Sequence, residues 1–115
     1  SMAVKMLTPV KCGYNKKEEF DFKAPTAVGY GCEVVLPAKD EEVQIVVYNS
    51  GASAGTVTVK APVNGHYASA GEDLTLSVAN SKYAIIRLES AVYADKDEKV
   101  KIVTSATTVK VAVLY

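Results

Sequence analysis

The sequence predicts an all-β domain, an antiparallel β-sandwich, and two observations carry that prediction. Residues Thr107-Thr108-Val109-Lys110-Val111-Ala112-Val113-Leu114-Tyr115 alternate Val109, Val111, Val113 and Tyr115 with Thr108, Lys110, Ala112 and Leu114, the period of a strand with one buried face. The same β-branched alternation recurs in at least four further segments bounded by Gly, Pro, Asn and Ser, and nowhere does an amphipathic helical spacing replace it.

Taken in order, the N-terminal third is the least regular. Ser1 before Met2 reads as a tag remnant, with the natural start at Met2 and an irregular arm over about 2–17. Val4-Lys5-Met6-Leu7 is a short strand ended by Thr8-Pro9, and Gly13-Tyr14-Asn15-Lys16-Lys17 is a loop. Glu19-Phe20-Asp21-Phe22-Lys23 alternates cleanly, which puts Phe20 and Phe22 on one face of a strand stopped by Pro25. Gly29 and Gly31 bracket Tyr30 before Glu33-Val34-Val35-Leu36, which Pro37 ends.

Glu42-Val43-Gln44-Ile45-Val46-Val47-Tyr48-Asn49 is nearly apolar throughout and so belongs inside a sheet. The small-residue loop Ser50–Gly55 then leads to Thr56-Val57-Thr58-Val59-Lys60, expected to return as its hairpin partner. After a long irregular loop from Ala61 to Glu72, Leu74, Leu76 and Val78 form the inward face of Asp73–Val78. Ala79-Asn80-Ser81 is expected to turn that strand into a second hairpin with Lys82-Tyr83-Ala84-Ile85-Ile86-Arg87-Leu88. Asp95–Glu98 is a charged turn before Lys99–Val103, and Ser105-Ala106 leads to the last strand. About seven to nine such strands specify a β-sandwich, immunoglobulin-like or jelly-roll-like, or a closed antiparallel barrel, and the sandwich is the favoured reading. Its expected core is Val43, Ile45, Val47, Val57, Val59, Leu74, Leu76, Ile86, Leu88, Val109, Val111 and Val113.

A chain of 115 residues suits one domain spanning 1–115, and 49% hydrophobic against 23% charged residues excludes a disordered one. Thirteen basic residues balance thirteen acidic ones, and Arg87 is the single arginine. A nucleic-acid surface needs a positive excess and arginine forks, so none is expected. No apolar run approaches the roughly 20 residues that cross a bilayer, and no polybasic or amphipathic segment or signal peptide is visible, so no membrane association is expected. Cys12 and Cys32 are too far apart for a CxxC motif, and a chain with a full core needs no staple, so reduced thiols are expected.

Candidate chemistry is sparse. His66 is the only histidine and lies in Asn64-Gly65-His66-Tyr67, without a nucleophile motif beside it, so it reads as a turn residue. Asp95, Asp97 and Glu98 resemble calcium ligands, but Lys96 and Lys99 intrude and the glycine that the loop requires is missing. Adjacent carboxylates at Asp40-Glu41-Glu42 and Glu18-Glu19 would point to opposite faces of a strand and cannot flank one glycosidic bond. Gly29-Tyr30-Gly31 lacks the rest of a nucleotide fingerprint. The expectation is therefore no enzyme, with no catalytic, cofactor-binding or metal-ligating residues and no cofactor. Seven tyrosines without a tryptophan make a weak sugar-stacking platform but suit an interface, for which the loop residues Tyr30, His66, Tyr67 and Tyr93 are the candidates.

The hairpin-like pair Ile45–Asn49 and Thr56–Lys60, then Asp73–Val78, Ala84–Ser90, Val100–Val103 and Thr108–Val113, together with the short start Met2–Lys5, resemble small β-sandwich proteins of phage and prophage virions, of the capsid (head) decoration type. The resemblance covers 43–115 and rests on strand patterns. It implies a non-enzymatic virion structural protein that decorates or stabilises the capsid, with the major capsid protein or another virion protein as partner, binding as a small homo-oligomer or through multivalent weak contacts on the shell. It implies location on the virion, and in the host cytoplasm during assembly. The alternative is a bacterial carbohydrate-binding or adhesion module on the same sandwich.

Overall fold

A computed structural model describes residues 5–25, 31–36, 43–62 and 72–115. Among them are eight strands: β1 (Lys5–Leu7), β2 (Cys32–Val35), β3 (Val43–Asn49), β4 (Gly55–Val59), β5 (Leu74–Val78), β6 (Tyr83–Leu88), β7 (Lys99–Thr104) and β8 (Val109–Leu114). They form a five-stranded sheet, β1-β2-β7-β4-β5, and a three-stranded sheet, β6-β3-β8. β1 and β2 are parallel, and every other pairing of named strands is antiparallel. The all-β sandwich is as the alternation predicts. One helical turn, α1 (Ser90–Tyr93), is added between β6 and β7, where the sequence reading has no helix.

Strand alternation builds the core between the sheets. Val43, Ile45 and Val47 of β3 and Val109, Val111 and Val113 of β8 face Val57 and Val59 of β4 and Val100 and Ile102 of β7, all with 2% or less of their surface exposed. Ile86 and Leu88 are also buried, and Leu74 is half-buried. Leu76, expected in this core, is instead 38% exposed. It lies on the edge strand β5, where three strands facing five leave the inner surface uncovered.

Both expected hairpins are absent, for one reason. The strand Thr56–Lys60 corresponds to β4, which pairs with β5 and β7 in the larger sheet instead of with β3, while β6 pairs with β3 instead of with β5. The connections 50–54, 79–82 and 105–108 each cross from one sheet to the other and meet at one end of the sandwich. There the Ser50 N–H and Oγ both donate to the Thr108 carbonyl, at 3.0 and 3.2 Å, and the Ser81 N–H donates to the Asn49 carbonyl at 2.8 Å. Asn49 is 0% exposed. Its Nδ2 donates to the Ser53 carbonyl (2.9 Å) and the Val78 carbonyl (3.0 Å), and its Oδ1 accepts the Gly51 N–H (2.9 Å). The side chain thus closes a local turn and ties β3 to the end of a strand in the opposite sheet.

Residues 19–23 do not form the expected strand. Only Lys23 bridges to Val111, exchanging hydrogen bonds of 2.8 and 2.7 Å, and Val10 bridges to the same strand through Val113 (2.9 Å) and Tyr115 (3.0 Å). The irregular arm thus runs on past the expected 2–17 to Lys23, touches the outer edge of β8 at two points and satisfies backbone groups that a bare edge would leave to solvent.

Candidate functional site

The outward side of the three-stranded sheet carries the most unusual surface. Register stacks three rows across it: Tyr83 beside Tyr48 beside Lys110, Ile85 beside Val46 beside Ala112, and Arg87 beside Gln44 beside Leu114. The middle row is wholly apolar. Tyr83 and Ile85 are each 66% exposed. Apolar residues occupy both faces of β6: Ala84, Ile86 and Leu88 serve the core side, while Tyr83 and Ile85 point outward.

The arm adds aromatic rings to this face. Phe22 lies 5.9 Å from Tyr48 and 6.1 Å from Tyr83, centroid to centroid, and Phe20 meets Phe22 edge-on at 5.5 Å. Tyr48 and Tyr83 stack at 4.3 Å with 17° between their planes. Both phenylalanines of the chain are thus spent on an outer surface, and Phe20 remains 37% exposed. Rings that fix one another lose little freedom when a partner covers them, which is the property an interface hot spot needs. Beside Phe20, between the arm and β8, runs a groove of about 270 Å³ lined by Met6, Val10, Lys23 and Ala112 among others.

Of the interface residues expected from sequence, Tyr30, His66 and Tyr67 lie outside the described residues. Tyr93 is half-buried against the core and lines a separate hollow of about 220 Å³ with Lys60, Pro62, Asp95, Lys99 and Lys101. It shares no lining residue with the aromatic face. Lys60 holds Asp73 at 2.8 Å, and that contact, with the Ala61 N–H, keeps the Asp73 carboxyl below the ordinary carboxylate range. Asp95 acts as a turn residue: its Oδ1 accepts the N–H groups of Asp97 (2.8 Å) and Lys99 (3.0 Å). No group of three His, Cys, Asp or Glu side chains converges on a metal-sized site among the described residues.

Cys12 and Cys32 are both free thiols, the first exposed and the second buried. Burial pushes the Cys32 thiol up to about 11, although Lys5 nearby pulls the other way, so it is a poor nucleophile at neutral pH.

Sequence alternation does not single out these four rings and favours the loop tyrosines. The alternation expects Phe20 and Phe22 on one face of a strand; no strand forms, yet the two rings meet, and their junction with Tyr48 and Tyr83 depends on strand pairing. The available signal was the two-sided apolar character of Tyr83–Leu88. Comparison with protein-family models, with curated proteins and with solved structures gave no match.

Proposed function

We propose that the protein is a non-enzymatic structural component of a phage or prophage virion that decorates the capsid through protein–protein contacts. The aromatic face of the smaller sheet carries this reading, together with the segment resemblance described above. The face is apolar at its centre, has Lys110 and Arg87 in its flanking rows, and stands on a rigid sheet, the anatomy of a hydrophobic patch with a polar rim. A shell repeats its binding site many times, so a modest contact per site suffices when decorating modules are linked. A sugar-binding module on the same sandwich would want flat, open rings. Here Tyr48 takes one face of Tyr83 and Phe22 flanks both rings, which leaves a cluster of stacked and tilted rings in place of a flat platform.

The test is co-sedimentation of the purified protein with undecorated capsids of the phage that encodes it. Binding that saturates at a fixed ratio to the major capsid protein is expected. Phe20→Ser or Tyr83→Ser should weaken it by about 30-fold or more, the scale of losing one aromatic hot spot. No capsid binding, or a specific glycan complex that shifts these ring resonances, would overturn the reading.

A further inference from the structure

The hydrogen-bond pattern of the smaller sheet leaves one of its edges ready for a particular occupant. Asn49 N–H donates to the Lys82 carbonyl on β6, and Ser50 N–H to Thr108 at the β8 side. In an antiparallel ladder, successive residues point their backbone groups to opposite sides, so Ala84, Ile86 and Leu88 bond β3 while Tyr83, Ile85 and Arg87 turn theirs to the outer edge of β6. The opposite edge of the sheet, on β8, is bridged by Val10 and Lys23. Among the described residues no strand pairs with the β6 edge. Neither a proline nor an inward-pointing charge blunts it, and its outward side chains include Tyr83 and Ile85 at 66% exposure.

We propose that this edge pairs with the same edge of a second copy of the chain, antiparallel about a two-fold axis at Ile85. In this register Ile85 faces Ile85 of the second copy, and Tyr83 faces Arg87 of the second copy at both ends. All three edge-facing residues then exchange backbone hydrogen bonds within the strand, and the guanidinium comes beside a tyrosine ring, a self-complementary match of cation and aromatic. Shifting the axis onto Arg87 would set two guanidiniums opposite each other. A formal net charge of zero adds no long-range repulsion between copies. The product is a six-stranded sheet, β8-β3-β6 continued by β6-β3-β8 of the second copy, with the apolar row Ala112-Val46-Ile85 running unbroken through the axis. β5, the exposed edge strand of the other sheet, turns only Thr75 and Ser77 outward and offers no such match.

The inference is independent of capsid binding, because its readout needs the purified full chain alone. Light scattering or sedimentation equilibrium over a dilution series is expected to give roughly double the 12.2 kDa chain mass, falling to the single-chain value on dilution. Ile85→Lys places like charges opposite each other, and Ile85→Pro removes an edge-facing N–H without touching the β3 ladder. Each should give a monomer with unchanged circular dichroism. Ser77→Lys on β5 should leave the dimer intact. A wild-type mass of 12.2 kDa up to about 1 mM, or a dimer that survives both Ile85 variants, would overturn the inference.

Discussion

Truncating Asn49 to Ala should be among the most damaging single polar changes in this domain, because one side chain makes three hydrogen bonds at the point where three sheet crossings meet. A net contribution of about 1 kcal/mol per bond gives a starting figure of about 3 kcal/mol. The bonds to Ser53 and Gly51 are partly buried, so water recovers some of their share, whereas the Val78 bond is fully buried and its loss costs about 1 to 3 kcal/mol alone. The expected destabilisation is therefore about 2 to 4 kcal/mol, a fall in midpoint of roughly 8 to 16 °C for a domain of this size. Urea unfolding should show a lower midpoint with an unchanged slope. Asn49→Asp keeps the shape but replaces two donors by a carboxylate facing two carbonyl oxygens, and should be worse than Ala. A loss below about 1 kcal/mol for Ala, or a tolerated Asp, would refute the idea that this side chain clamps the crossings.

Gly55 begins β4 beneath the start of β8, and a Cβ there would lie 2.5 Å from Val109 Cγ2, a side chain with 0% exposure. Gly55→Ala should lower stability by about 1 to 3 kcal/mol through overpacking, read as a shift in the urea midpoint. Under native conditions a thiol reagent should modify Cys12 rapidly and reach Cys32 only on unfolding; two fast equivalents would contradict the burial of β2. Because the folded state raises the Cys32 thiol from 9.0 to about 11, its contribution to stability is complete below pH 9 and is lost as pH rises through 11. Relative to Cys32→Ala, the wild type should lose about 2 to 3 kcal/mol across that window, measured by chemical denaturation at each pH.

Strand identity was legible in the sequence because burial on one face writes itself as alternation: β3, β4, β6, β7 and β8 lie where the apolar residues repeat every second position. Strand partnership was not. Ser50-Gly51-Ala52-Ser53 has the composition of a hairpin loop, yet the feature that sends the chain across to the other sheet is an Asn49 side chain reaching Val78, a contact between residues far apart in sequence. Leu76 shows the converse limit, since it has the right parity for the core but sits where the facing sheet is too narrow. Parity puts Phe20 and Phe22 on one face of an expected strand, and their rings do meet although that strand does not form. The arm gains its bridges from β8, so no regular strand forms around them. The aromatic face itself needed the register of β3 against β6, which local pattern does not encode.

The crossings at 50–54, 79–82 and 105–108 also bear on how the domain comes to be folded. From β3 onward the chain visits the small sheet, the large sheet twice, the small, the large and the small again. No continuous stretch contains either sheet, and the short connections close no ladder of their own. Apart from β1 with β2 and β4 with β5, strands gain their neighbours only through pairings that skip intervening strands, and that loop-closure entropy places folding among the slow, high-contact-order β proteins, on the scale of milliseconds to seconds. β3 emerges long before β6 and β8, the two strands that flank it, and during synthesis its apolar run waits for both.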